Sequence, residues 1–290
     1  MKYIVQLENV AKHYPAFSLK SINFNLAQGY LTGLVGPNGA GKTTLIKLLM
    51  SLLLPDSGEV CLFGKTYSNA EKQIKERIGF VYETPHFYDE FNLDTIAGII
   101  APFYSQWDKI IYKKLQQDFD LNPKAKFGKL SKGERTKFAL NVALCHHAEL
   151  LVLDEPTAGL DPVFRRELLE YFGGLISEGD TTILIATHIT SDLDRTADYV
   201  TMISGGEIVL SSEKDRLLED YKIIKGGVEL EKYKNYFIGY RQNEFGIEAL
   251  VNGASSIIEI GVDNDVVLEK PTLEDILFYT SSRKTGGKNE

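Results

Sequence analysis

The clearest chemistry in the chain lies in consecutive residues Gly36-Pro37-Asn38-Gly39-Ala40-Gly41-Lys42-Thr43-Thr44. From Gly36 to Thr43 they fit the pattern G-x-x-x-x-G-K-[ST] of a phosphate-binding loop, after an apolar run (31–35) and before residues of helical spacing. The glycines let successive backbone N–H groups curl around phosphate oxygens, and the head of the following helix adds a favourable dipole. Lys42 is placed to reach β- and γ-phosphates, and the Thr43 hydroxyl to ligate Mg²⁺. Alone, the loop says only that a nucleoside triphosphate binds.

A second group sits at the end of the apolar run Leu150-Leu151-Val152-Leu153, where Asp154 and Glu155 follow one another. After a phosphate loop, that pair reads as a magnesium-holding aspartate and a glutamate that polarises the attacking water. Taken without the loop, it reads equally as an acidic turn after a buried strand.

Between these two groups stands Leu130-Ser131-Lys132-Gly133-Glu134, at the start of a helical pattern. With it the chain resembles the ABC ATPases, whose signature is usually Leu-Ser-Gly-Gly-Gln. The resemblance implies that Ser131 and Gly133 bind the γ-phosphate of a nucleotide held by a partner chain, aided by the helix dipole. It further implies that Ala158-Gly159-Leu160-Asp161 crosses a dimer interface and that His188 senses the γ-phosphate. Tyr14, 22 residues before Gly36, stands where the family stacks an aromatic ring on adenine; a packing role fits it too. The chain departs at Glu83, where the family generally has glutamine. A carboxylate there still ligates magnesium but adds negative charge beside the phosphates.

These residues need elements to hold them. Residues 3–10 and 19–26 alternate as strands around a turn at Tyr14-Pro15-Ala16, and 31–35 is a third strand. Residues 42–54 read as a helix stopped at Pro55. Strands at 59–63 and 78–82 flank a charged helix at 69–77. Helices follow at 92–101, 107–119 and 132–147, starting near Asn92, Asp108 and Ser131. Residues 150–153 and 182–186 are uninterrupted apolar runs, as expected of parallel strands covered on both faces, with a helix at 162–176 between them. A hairpin surrounds Gly205-Gly206. Beyond it come a helix at 212–221, β-like runs at 236–241, 247–251 and 256–260, a helix at 271–279, and a polar tail expected to be mobile.

The reading is therefore an α/β chain. The resemblance makes it a P-loop NTPase: a RecA-like core, an antiparallel β subdomain and a helical signature subdomain (84–148) within residues 1–210. A small C-terminal α/β appendage fills 211–290. Pro271-Thr272-Leu273-Glu274-Asp275-Ile276 and the signature carry a narrower likeness to ATPase subunits of ABC-2-type exporters of the bacitracin and acetoin-related group.

Bulk properties narrow the function. The formal charge is −8 over 290 residues, which weighs against a protein that grips nucleic acid by phosphate contacts. Cys61 and Cys145 are far apart, and the Cys145-His146-His147 run lacks ligand spacing, so both cysteines read as small packed hydrophobes. The longest apolar stretch without a charge, 95–107, is too short to span a bilayer and contains Pro102. The expected function is an ATP-hydrolysing transport subunit, cytoplasmic and held at the inner face of the membrane by a separate permease. It would act as a homodimer or as a heterodimer with a related subunit. The aromatics Phe87, Tyr88, Phe91, Phe103, Tyr104 and Trp107 mark the expected docking surface. The alternatives are a soluble ABC ATPase acting on nucleic acid or the ribosome, and a nucleotide-binding regulator without turnover, against which Glu155 argues.

Overall fold

The structure is a computed structural model that describes residues 2–179, 181–253 and 266–282. Its first strands, β1 (Tyr3–Tyr14) and β2 (Phe17–Ala27), form a long hairpin that turns tightly between Tyr14 and Phe17. β3 (Leu31–Val35) leaves this layer, runs into the phosphate loop and is followed by α1 (Lys42–Leu49). β4 (Ser57–Leu62) and β5 (Lys65–Thr66) return to the hairpin, giving an antiparallel sheet in the order β2-β1-β4-β5. α2 (Tyr67–Lys75) then leads to β6 (Ile78–Val81).

α1 is shorter than its sequence suggests. Ser51 takes a left-handed φ of 55°, and Leu52 N donates to Lys47 O at 2.8 Å. These are the marks of a helix closed by a Schellman turn, built here on serine instead of the usual glycine.

Helices α3 (Leu93–Ile100), α4 (Lys109–Asp118) and α5 (Lys132–Leu144) follow, and their caps are the residues named from sequence: the Asn92, Asp108 and Ser131 side chains each accept a first-turn N–H. Beyond them lie β7 (Leu150–Asp154), α6 (Pro162–Ser177), β8 (Thr182–Thr187), α7 (Thr190–Thr196), β9 (Tyr199–Ser204) and β10 (Glu207–Glu213). The second sheet has the order β10-β9-β3-β8-β7-β6, with all neighbours parallel except β10. Because side chains alternate along a strand, it splits its apolar residues between two cores. Leu34, Val152 and Leu184 face the antiparallel sheet and α1, whereas Val35, Leu153 and Ile185 face the helices α3 to α7.

The remaining chain begins with α8 (Lys214–Asp220). This helix starts two residues later than its pattern suggests, because β10 stays paired with β9 as far as Glu213↔Tyr199. β11 (Tyr221–Gly226), β12 (Phe237–Asn243), β13 (Gly246–Asn252) and β14 (Val267–Glu269) form a third sheet, β12-β13-β11-β14, and α9 (Leu273–Ser282) lies against it. Leu273, Ile276 and Tyr279 of α9 share one apolar cluster with Leu193, Ala197 and Met202, so this layer shares the core of the second sheet. The strand expected at 256–260 and the tail beyond 282 lie outside the described residues.

Cys145 is fully buried, and the His146 ring stacks on Tyr104 at 3.9 Å while bonding Val142 O and Ile78 O. Both residues pack as core.

Candidate active site

Register brings the site together. Leu153↔Ile185, Asp154↔Ala186 and Val35↔Thr187 put the C-terminal ends of β3, β7 and β8 level, so Gly36, Glu155 and His188 leave the sheet at one edge. That edge is where open parallel sheets bind ligands.

Gly36 and Gly41 fix the path of the loop. A Cβ on Gly36 would meet Ile203 O at 2.2 Å, and Gly41 holds φ 113° in the left-handed region. Ala40 packs in the core beneath, and Pro37, Asn38 and Gly39 form the outward turn, closed by Ala40 N donating to Pro37 O. Lys42 is buried, donating to Gly36 O at 2.8 Å with its Nζ 3.8 Å from Glu155 Oε1. Burial lowers its pKa, against the opposing pull of Glu155 and Asp154.

Asp154 is 2 % exposed; its Oδ2 accepts from Thr43 Oγ1 at 3.1 Å, and its Oδ1 has no partner. Desolvation pushes its pKa up to about 6, with the nearby charges of Glu155 and Glu83 adding to the effect and Thr43 and Lys42 opposing it. A buried, unpartnered carboxylate oxygen beside a hydroxyl, with Glu83 near, is an oxygen donor set that fits Mg²⁺.

Glu155 is held from several sides. Its backbone takes φ 50°, a strained value for a side-chain-bearing residue, and its N donates to Ala186 O. Its Oε2 accepts from Thr187 Oγ1 at 3.1 Å and lies 2.9 Å from His188 Nδ1.

Ser131 and Gly133 lie at the head of α5, and none of their described contacts is to Lys42, Asp154 or Glu155. Ser131 Oγ donates to Glu134 Oε2 at 2.7 Å and accepts from Glu134 N, a reciprocal cap that holds the Glu134 pKa down. Their neighbours are in the 158–161 loop: a Cβ on Gly133 would lie 3.7 Å from Leu160, and one on Gly159 3.4 Å from Lys132. Asp161 caps α6 by accepting from Val163 N and Phe164 N.

The hairpin brings a residue that sequence reading passed over. Tyr14 stands 39 % exposed at the end of β1, but it is the Phe17 ring that reaches the loop, 2.9 Å from where a Gly41 Cβ would be. The aromatic beside Tyr14 was the available signal. Phe87, expected on a docking surface, packs edge-on to Phe127 and Phe138 in the helical core; Tyr88 and Phe103 remain 70 % exposed.

Comparison with known proteins agrees with this geometry. The family profile described as ABC transporter matches residues 19–158. The bacitracin transport ATP-binding protein of Bacillus licheniformis is 34 % identical over 220 residues, 75 % of this chain and 72 % of that one. The chain belongs to the ABC transporter family. A lantibiotic transport ATP-binding protein of Streptococcus pyogenes is 31 % identical over 73 % of this ABC chain and 92 % of its own. Among solved structures, an ATP-binding subunit of an ABC transporter superposes with a TM-score of 0.69 at 25 % identity, covering 74 % of this chain and 92 % of the other. Like other ABC cassettes, this one is an ATP-binding and ATP-hydrolysing subunit. The nucleic-acid or ribosome alternative finds no support in these likenesses. No described helix is long and apolar enough to cross a membrane.

Proposed function

We propose that this ABC ATPase drives a separate membrane permease, and that its residues divide into two half-sites completed only in a dimer. Gly36 to Thr44 cradle the phosphates, with Lys42 swinging from Gly36 O onto them. Phe17 and Tyr14 flank the base. Thr43, Asp154 and Glu83 hold Mg²⁺, which neutralises phosphate charge when bound. Glu155 takes the proton of the attacking water, and His188, already 2.9 Å from it, orients the carboxylate and reports on the γ-phosphate. Ser131, Gly133 and Asp161 act on the nucleotide of the other subunit, identical or a close relative.

The observation that supports this reading best is the division of contacts. Lys42, Asp154 and Glu155 meet at one sheet edge, while Ser131 and Gly133 sit with the 158–161 loop of the same chain. Arrival of phosphate at Ser131 must then compete with the Glu134 carboxylate. ATP closes the dimer and hydrolysis releases it, and exposed Tyr88 and Phe103 carry the motion to the permease at the inner membrane face. The bacitracin relative, and the exporter likeness, favour outward transport.

The test is Glu155→Gln in the purified chain. The variant should bind ATP, elute as a dimer in its presence, and hydrolyse about 10²–10⁴-fold more slowly. Loss of ATP binding would contradict the role given to Glu155, and a variant that stays monomeric with ATP would contradict the shared site.

A further inference from the structure

Asp192, in the first turn of α7, is 3 % exposed and has no part in the site above. Its Oδ2 accepts from Thr157 Oγ1 at 2.6 Å. Its Oδ1 accepts from Arg165 Nε at 2.7 Å, and Arg165 Nη2 lies 2.6 Å from the same oxygen. Thr157 follows Glu155 by two residues, and Arg165 N donates to Asp161 O. One buried carboxylate thus grips both ends of segment 157–165, which starts two residues after Glu155 and carries the 158–161 loop.

The next residue faces elsewhere. Leu193 is fully buried, and a Cβ on Gly33 of β3 would lie 2.4 Å from its Cδ1. Leu193 fills a hollow that only glycine leaves, on the strand that runs directly into Gly36. α7 is therefore keyed to the phosphate-loop strand through Leu193 and to the 157–165 segment through Asp192.

We infer that Asp192 is a positioning residue for hydrolysis: through Thr157 and Arg165 it fixes the Glu155–Asp161 segment relative to the phosphate-loop strand. The inference rests on the role proposed for Glu155. It concerns a second tie between the two loops, independent of the His188–Glu155 contact. Carboxylate chemistry suits the task, because Thr157 and Arg165 both donate and an aspartate is acceptor-only. An asparagine of the same shape loses the charge that pairs with Arg165, and keeps both partners only by turning its amide N–H2 onto Thr157, whose hydroxyl must then accept instead of donate.

The experiment measures steady-state ATPase kinetics of the full chain carrying Asp192→Asn, Thr157→Val or Thr157→Ser. Misplacement of a reacting group by about 1 Å costs up to ~10²-fold in rate, so Asp192→Asn and Thr157→Val should lower kcat about tenfold or more. KM for ATP should stay within about twofold, since no phosphate-loop atom is altered, and Thr157→Ser should restore kcat by restoring the hydroxyl. A wild-type kcat in Thr157→Val, or equal losses in Thr157→Val and Thr157→Ser, overturns the inference. Glu155→Gln assayed alongside separates the two readings. Hydrolysis surviving in Glu155→Gln removes the role of Glu155 and this inference together. An inactive Glu155→Gln beside a fully active Thr157→Val removes the positioning role alone.

Discussion

Replacing Asp154 with asparagine should stabilise the nucleotide-free protein while weakening its response to MgATP. Asp154 is 2 % exposed with one oxygen unpartnered, and its pKa is pushed up from 3.8 to about 6. A carboxyl whose folded pKa lies above its unfolded value binds protons more tightly when folded. Its contribution is therefore most favourable below 3.8 and is lost as pH rises through 6. A rise of that size corresponds to about 3 kcal/mol of stability forgone above pH 7. Asparagine keeps the shape, still accepts from Thr43, and carries no charge to desolvate. For 290 residues, with unfolding entropy near 2.1 cal/mol/K each, that gain raises Tm by roughly 5 °C. Linkage with these pKa values leaves only about half of it at pH 5, where wild-type Asp154 is largely protonated. Differential scanning calorimetry of both proteins at pH 8 and pH 5, with and without MgATP, is the assay. The rise in Tm on adding MgATP should shrink in the variant, because a ligand stabilises only as far as it binds the folded state. An apo variant no more stable than wild type at pH 8, or a gap that does not narrow at pH 5, would refute the reasoning.

Phe87→Ala should cost roughly 2–4 kcal/mol, read as a fall in the denaturation midpoint, because the ring packs on Phe127 and Phe138. Phe103→Ala should leave that midpoint within about 0.5 kcal/mol and reduce co-purification with the permease. Phe17→Ala should weaken binding of a fluorescent ATP analogue by about 1–3 kcal/mol of lost ring stacking, and more than Tyr14→Ala does.

Much of the fold was legible because local signals and tertiary needs agreed. Asn92, Asp108 and Ser131 cap helices in the structure as their types suggest, and 150–153 and 182–186 are strands buried on both faces. The misreadings have physical causes. The Schellman turn at Ser51 lacks its usual glycine. The residue at the N-cap of α7 is Ile189, whose side chain makes no cap, so nothing local announces the helix that carries Asp192. The phosphate loop and the Asp154-Glu155 pair were readable as motifs. Their mutual distances, the Glu134 cap on Ser131 and the place of Phe17 depend on pairing between residues far apart in sequence.

The position of β3 sets an order of events during synthesis. Its neighbours are β8 and β9, so the strand that begins the phosphate loop waits for partners ending at Thr187 and Ser204. At about 5–20 residues per second, the ribosome needs roughly 10–30 s to travel from Val35 to Ser204. Until Thr187 has been made Leu34 and Val35 have no sheet to join; the hairpin and α1 cover only the Leu34 face, and the Val35 face waits for the helices that follow. Nucleotide cannot template the early folding of this chain; its pocket is completed only after some two hundred residues have emerged.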